Sequence, residues 1–386
     1  MTKFLRLWTG TTASGLATWA LPFVLGLAVL ERTLTPSALG LVLAARTVGF
    51  LIAVPIAGVL ADRYSRRQVV LWSGLMATAA TPFIAYGLGR SVPLMCAAAL
   101  VLGAGQGACR PAFQALTAEV VEPSKRQGAN AAMTLAVRVT TLVGPGLTAL
   151  LALFLDAWAL VLGTAALWAV AALVPPAGTF APGRTNTAFF AEFAEGVREA
   201  RRHPWFLAGL AALAAVCATG YSATSVGLPL ISRDRYGTEA VLAAATTAYV
   251  VGALVGALII ARWRPRSEGW VAFGGLAAYA VAPLALLLPV HPAVVVGAYV
   301  VAGVGVEFFN VPWFTATQRE VEPTLLARVS SLDFMVSYGL APLGLALIAP
   351  AMEAFGWPWV LGFCAAVCLL APAAALLVPS TRRLAR

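Results

Sequence analysis

The sequence predicts an all-α membrane protein with twelve transmembrane helices in two six-helix, pseudo-symmetric halves. Three observations predict it. Long stretches carry no Asp, Glu, Lys or Arg, namely 68–89, 139–155, 157–183, 204–232, 240–261, 269–306, 334–352 and 354–381. Basic residues gather in alternate connections between the apolar runs. Short features of the first half recur 200 residues later, Gly103-Ala-Gly105 as Gly303-Val-Gly305 and Val121-Glu122-Pro123 as Val321-Glu322-Pro323.

The apolar stretches set the number of helices. The 386 residues are 60% hydrophobic and 11% charged, with mean hydropathy +0.86. A soluble domain carries roughly 25% charge. A helix needs about 20 apolar residues to cross the hydrocarbon core, so 269–306 must hold parts of two spans. Runs that are continuously apolar rather than alternating exclude a barrel.

The first span, 8–30, follows Lys3 and Arg6 as a signal peptide would, but no small-residue cleavage site ends it, so it is expected to remain as a helix. Spans two and three, 36–61 and 68–88, are joined by a charged loop too short to cross a bilayer. The next three are 92–121, 126–154 and 157–175. A polar stretch, 176–204, divides the chain into a first half at 1–175 and a second half at 205–386. Within that linker Phe189, Phe190, Phe193 and Val197 fall at helical spacing, with Glu192, Glu195, Arg198, Glu199, Arg201 and Arg202 elsewhere. This pattern predicts an amphipathic helix on the cytoplasmic membrane surface that tethers the halves. The remaining spans are 205–232, 237–261, 270–289, 292–321, 326–352 and 357–379.

Charge orients the helices. With a cytoplasmic N-terminus, 19 of the 26 Lys and Arg lie in inner segments. Four lie outside (Arg32, Arg90, Arg233, Arg235) and three within spans (Arg46, Arg110, Arg138). Positive charge accumulates on the cytoplasmic side, which puts both termini there. The net charge of +10 is explained by this bias and calls for no nucleic acid. All five cysteines fall in spans; Cys364 and Cys368, four apart on one helix face, read better as small buried apolar groups than as a soft-metal site. The two histidines, His203 and His291, sit at span boundaries, and no phosphate-binding glycine loop or His-Glu metal motif is present. No enzyme, metal or cofactor is expected.

One loop narrows the class. Gly58-Val-Leu-Ala-Asp62-Arg63-Tyr-Ser-Arg66-Arg67 closely resembles the signature loop between helices 2 and 3 of the major facilitator superfamily of secondary transporters, with Ser65 in place of the usual Gly. The resemblance covers essentially the whole chain and implies two parallel six-helix repeats. It implies that Gly58 allows close helix approach and that Asp62 accepts from the N-terminus of the eleventh helix, near Thr324–Ala327. Breaking that contact would accompany opening to the cytoplasm. The corresponding loop of the second half, Arg262-Trp-Arg264-Pro-Arg266, lacks the acid. Gly144-Pro145 in the fifth span resembles the family's exporter-associated motif, a hint of efflux. The family's fourth-helix Arg three residues before Gln-Gly is absent: Gln106-Gly107 is present, but position 103 is Gly, and Arg110 lies one turn farther on.

Ionisable groups in lipid are costly and usually functional. Here they are Arg46, Arg110, Arg138 and Glu307, with Asp333 nearer the inner end of span eleven. The resemblance places helices 1, 4, 7 and 10 around the cavity, hence Glu307 and Arg110 at nearly one depth. Glu307, with Asp333 second, is the candidate proton carrier, against the alternative of a permanent ion pair. The cavity candidates are Arg110, Trp19, Phe23, Tyr221, Asn310 and Trp313, a set suited to an apolar or amphipathic ligand. The expected protein is a monomeric, multi-pass, proton-coupled exporter in the bacterial cytoplasmic (inner) membrane. Its partners would be protons, a small-molecule substrate and the bilayer. An importer or facilitator of a small metabolite is the alternative; a non-transporting receptor or scaffold has little use for deep charges such as Glu307 and Arg110.

Overall fold

The computed structural model describes residues 2–178 and 189–384. Every regular element among them is a helix. In order these are α1 (Thr2–Leu30), α2 (Pro36–Arg63), α3 (Arg66–Gly87), α4 (Val92–Val120), α5 (Arg126–Leu151), α6 (Ala157–Leu173), α7 (Phe189–Arg201), α8 (Pro204–Val216), α9 (Ser222–Tyr236), α10 (Ala240–Arg262), α11 (Glu268–Ala278), α12 (Val281–Leu287), α13 (Pro292–Glu320), α14 (Leu326–Phe355) and α15 (Trp357–Ala375). Among the described residues ten helices are long and apolar enough to cross a membrane, counting α8–α9 and α11–α12 as one each. The shorter apolar α6 has 17 residues, which spans about 25 Å at 1.5 Å per residue. The chain is a multi-pass membrane protein.

Local chemistry sets the helix ends. Thr35, Ser91 and Asp156 cap α2, α4 and α6 by accepting from the backbone N–H groups of Ala38, Leu94 and Ala159. Proline opens α2, α8 and α13, where its missing N–H costs nothing. Prolines inside α1 to α5 do not end them, as neighbouring helices in a membrane protein re-satisfy the freed groups.

Two spans depart from the sequence expectation. The seventh is broken by a π-turn at Cys217–Tyr221 between α8 and α9. The ninth is two helices, jointed at Tyr279–Ala280. The second break lies four residues before Pro283, which has no N–H to donate to Tyr279 O and whose ring crowds that carbonyl; the first has no proline in its turn.

The chain forms two compact units: one of Met1–Ala129, Ala136–Val197 and Val321–Phe334, the other of Asn130–Leu135, Arg198–Glu320 and Met335–Arg386. In the first unit α2 packs along α4. Gly103 and Gly107 lie against the backbones of Arg46 and Phe50, and Gly105 lies on Ser73 and Ala77 of α3; none has room for a Cβ. In the second unit Gly303 meets Tyr249 of α10 and Gly305 meets Gly275 and Ala278 of α11 in the same way. The repeat at an offset of 200 residues is therefore a packing repeat. Small residues let membrane helices approach closely where no hydrophobic effect drives them together.

The core of the second unit is aromatic. Trp313 stacks on Phe206 (5.0 Å) and Phe309 (5.2 Å) and meets Trp205 edge-on at 5.4 Å. Asn130, from the short α5 segment in this unit, exchanges amide hydrogen bonds with Gln318 at 3.0 and 3.2 Å and donates to Thr315.

Candidate functional site

A charged cluster occupies the α2–α3 turn of the first unit. Asp62 ends α2 with its side chain buried. Its Oδ1 accepts from the backbone N–H of Ala327 at 3.3 Å, and its Oδ2 from that of Arg328 at 3.1 Å. Both donors lie in the first turn of α14, where the N–H groups have no partner within the helix and the dipole favours an anion. Gly58, one turn earlier on α2, makes this approach possible: a Cβ there would stand 2.7 Å from Ser331 Cβ and 3.0 Å from Ala327 O.

The arginines of the same loop divide the work. Arg66 is 2% exposed. It pairs with Glu119 of α4 at 2.8 Å, lies 3.6 Å from Asp62, and donates to the carbonyls of Ala115 and Pro323. Arg63 pairs with Glu192 of α7 at 2.7 Å. Arg67 stands outside the cluster and donates to Leu173 O at the end of α6. Arg328 completes the network: it holds Glu195 at 2.8 Å and Glu192 at 3.3 Å, with Asp62 at 3.7 Å.

Glu192 was not among the residues expected to act. Its carboxylate is fully buried and faces both Arg63 and Arg328. Its helix, α7, presents a charged as well as an apolar face to the rest of the unit. The buried face of α7 carries Glu192, Gly196, Glu199 and Ala200, while Phe193 is only partly buried. Gly196 has no room for a Cβ beside Arg328. Arg63 and Arg328 offset the cost of taking the Glu192 carboxylate out of water, so this face, and not the apolar stripe alone, packs inward. Linker residues 179–188, and the side chains of Phe189 and Phe190, lie outside the described residues.

A second constellation lies inside the first unit. Arg46 of α2 donates from Nε and Nη2 to Gln106 Oε1 of α4 at 3.0 and 2.7 Å, and from Nη2 to Thr18 O of α1 at 3.0 Å. One guanidinium thus ties three helices together, and Gly103, whose position the fourth-helix motif of the resembled family gives to Arg, lies against the backbone of Arg46. Arg110 is one turn beyond Gln106 and partly buried. On α1, Trp19 is exposed and Phe23 half-buried. Gly144 faces Trp19 Cβ and the backbone N of Ala20, and Pro145 lies within α5.

The other candidates are scattered. Glu307 is fully buried on α13 in the second unit, whereas Asp333, 4% exposed, belongs to the first. Tyr221 is exposed at the end of the π-turn, and Asn310 is half-buried. Trp313 does not line an open cavity here: it is 1% exposed within the aromatic core, where ring stacking fills its surroundings. Cys364 and Cys368 are buried, and among the described residues no group of three or more His, Cys, Asp or Glu could hold a metal ion.

Comparison with known proteins places the chain. The human organic anion transporter MFSD10 (TETRAN) superimposes with TM-score 0.81 at 16% identity, over 97% of this chain and 99% of that one. A bacterial homologue of the iron transporter ferroportin, in an outward-facing state, superimposes with TM-score 0.77 at 17% identity, over 98% and 99%. No curated protein sequence matches the chain. The family model for the Major Facilitator Superfamily matches residues 7–345. With the Gly58–Arg67 loop seated on the start of α14 and a match over most of its length, the chain belongs to the major facilitator superfamily, a family of transporters rather than enzymes.

Proposed function

We propose that the chain is a proton-coupled exporter of a small apolar or amphipathic compound that works by alternating access. In this reading α6 and α14 join the ten apolar spans to make twelve, in halves 1–175 and 205–386 joined by the 176–204 linker. The protein acts as a monomer in the bacterial cytoplasmic membrane with both termini inside, as its charge bias suggests.

The observation that carries the reading is the bond from the Asp62 carboxylate to the first turn of α14. It joins a loop of the first half to a helix of the second. It depends on a few charge-assisted hydrogen bonds and so can break and re-form. Export is supported by Gly144-Pro145 within α5. Proton coupling is supported by Glu307, a carboxylate buried in a membrane-spanning helix, where such groups commonly serve proton relays. The solved relatives are named for unlike cargoes, organic anions and iron, so neither cargo is assigned to this chain.

The test is transport in reconstituted vesicles with an imposed pH gradient, using a ligand found by a thermostability screen of the purified protein. Glu307→Gln should abolish accumulation against the substrate gradient yet permit downhill exchange. If the variant still accumulates substrate, coupling through Glu307 is wrong, and Asp333 or a facilitator mechanism replaces it.

A further inference from the structure

The first unit carries an arginine that the described residues do not satisfy. Arg46 is held through Nε and Nη2 by Gln106 and the Thr18 carbonyl. Arg110 lies four residues after Gln106 and therefore on the same face of α4. Among the described residues, Arg110 makes no hydrogen bond or ion pair. Its charge instead opposes that of Arg46. The buried and half-buried acids Asp62, Glu119, Glu192 and Asp333 have partners elsewhere: Asp62 and Glu119 lie beside Arg66, Glu192 faces Arg63 and Arg328, and Asp333 makes contacts of its own. Arg46 at least has neutral acceptors; leaving the second like charge with none inside a membrane-spanning segment is costly. Arg110 is nevertheless only partly buried, so an external group can reach it.

We infer that Arg110 anchors an anionic group of the transported compound, and that the cargo is therefore an amphipathic organic anion. This inference rests on the transport function proposed above and names its substrate class. The planar guanidinium offers paired donors that match a carboxylate, sulfonate or phosphate. An apolar surface for the rest of the ligand is available on α1 of the same unit. The Arg46–Gln106–Thr18 bonds bring α1, α2 and α4 together there, and Trp19, next to Thr18, is 39% exposed. An exposed aromatic next to Thr18 and a cation one turn beyond Gln106 suit a ligand with an apolar body and a charged end. Bound anion would also relieve the repulsion between Arg110 and Arg46.

Two fluorescent probes with one ring system and different charge test this: anilinonaphthalene sulfonate and neutral N-phenylnaphthylamine. Each is titrated into full-length protein in nanodiscs, with empty nanodiscs subtracted. The sulfonate should bind the parent protein about tenfold to a hundredfold more tightly than the neutral probe, the scale of a charge-assisted hydrogen bond. Arg110→Gln should bring the two affinities together while leaving the neutral probe's affinity unchanged, which also shows that the variant is folded. Arg110→Lys should keep part of the preference, since it retains charge but loses the planar fork. The inference is overturned if the sulfonate binds no better than the neutral probe, or if Arg110→Gln keeps the preference. A preference for the anion that depends on Arg110, in vesicles that fail to transport it, supports the site and removes the transport function instead.

Discussion

Replacing Asp62 by Asn isolates the contact on which the gating proposal depends. The two carboxylate oxygens accept from two backbone N–H groups of α14, at 3.3 and 3.1 Å, with Arg66 and Arg328 at 3.6 and 3.7 Å. The amide keeps one acceptor but turns an N–H₂ toward the second donor and removes the charge. One charge-assisted hydrogen bond is worth about 1.5–3 kcal/mol, and the attraction to the helix start adds about 0.3–1 kcal/mol. Opening of this contact should become roughly tenfold to several-hundredfold more favourable. Ser331 reports it directly, because it is fully buried against Gly58. A Ser331→Cys probe, in a background with the five native cysteines replaced by alanine, should react with a soluble thiol reagent faster by that factor when Asp62→Asn is added. Thermal unfolding measured in parallel separates local opening from loss of fold. An unchanged labelling rate would refute the reasoning. So would an equal rise with Glu122→Gln, which touches only the exposed pair with Lys125.

Three further outcomes follow from the packing. Glu192→Gln should also accelerate labelling at position 331, about tenfold, because Arg63 and Arg328 lose their shared carboxylate while Glu195 still holds Arg328; labelling at the parent rate would reduce α7 to a tether. Gly103→Ala and Gly303→Ala should each destabilise the protein by about 1–3 kcal/mol, since each Cβ would overlap a neighbouring backbone; denaturation in detergent reads this, and a silent change at either site would break the equivalence of the two repeats. Trp313→Ala should cost about 3–5 kcal/mol of stability by emptying the aromatic core. A loss of ligand affinity at unchanged stability would return Trp313 to the cavity.

The helical membrane class, most span positions and the Gly58–Arg67 loop could be read from the chain alone. Each rests on a local property: apolar length is set by the thickness of the bilayer, and the density of charge between two spans forces a short loop. The Gly103/Gly303 and Gly105/Gly305 echo was equally legible, because close backbone approach admits no other side chain. What tertiary structure decided is the partner of each polar group. Glu192 looked like one charge on the solvent side of an amphipathic helix until α7 turned it toward Arg63 and Arg328. Arg46 looked like one of several stray intramembrane charges until Gln106 and Thr18 closed around it and left Arg110 apart. Trp313 matched a cavity residue by helix position, yet stacking with Phe206 and Phe309 made it core. Apolar spacing is a one-dimensional quantity and survives in sequence. An ion pair joins residues as much as 266 positions apart, and its members become neighbours only when the helices pack.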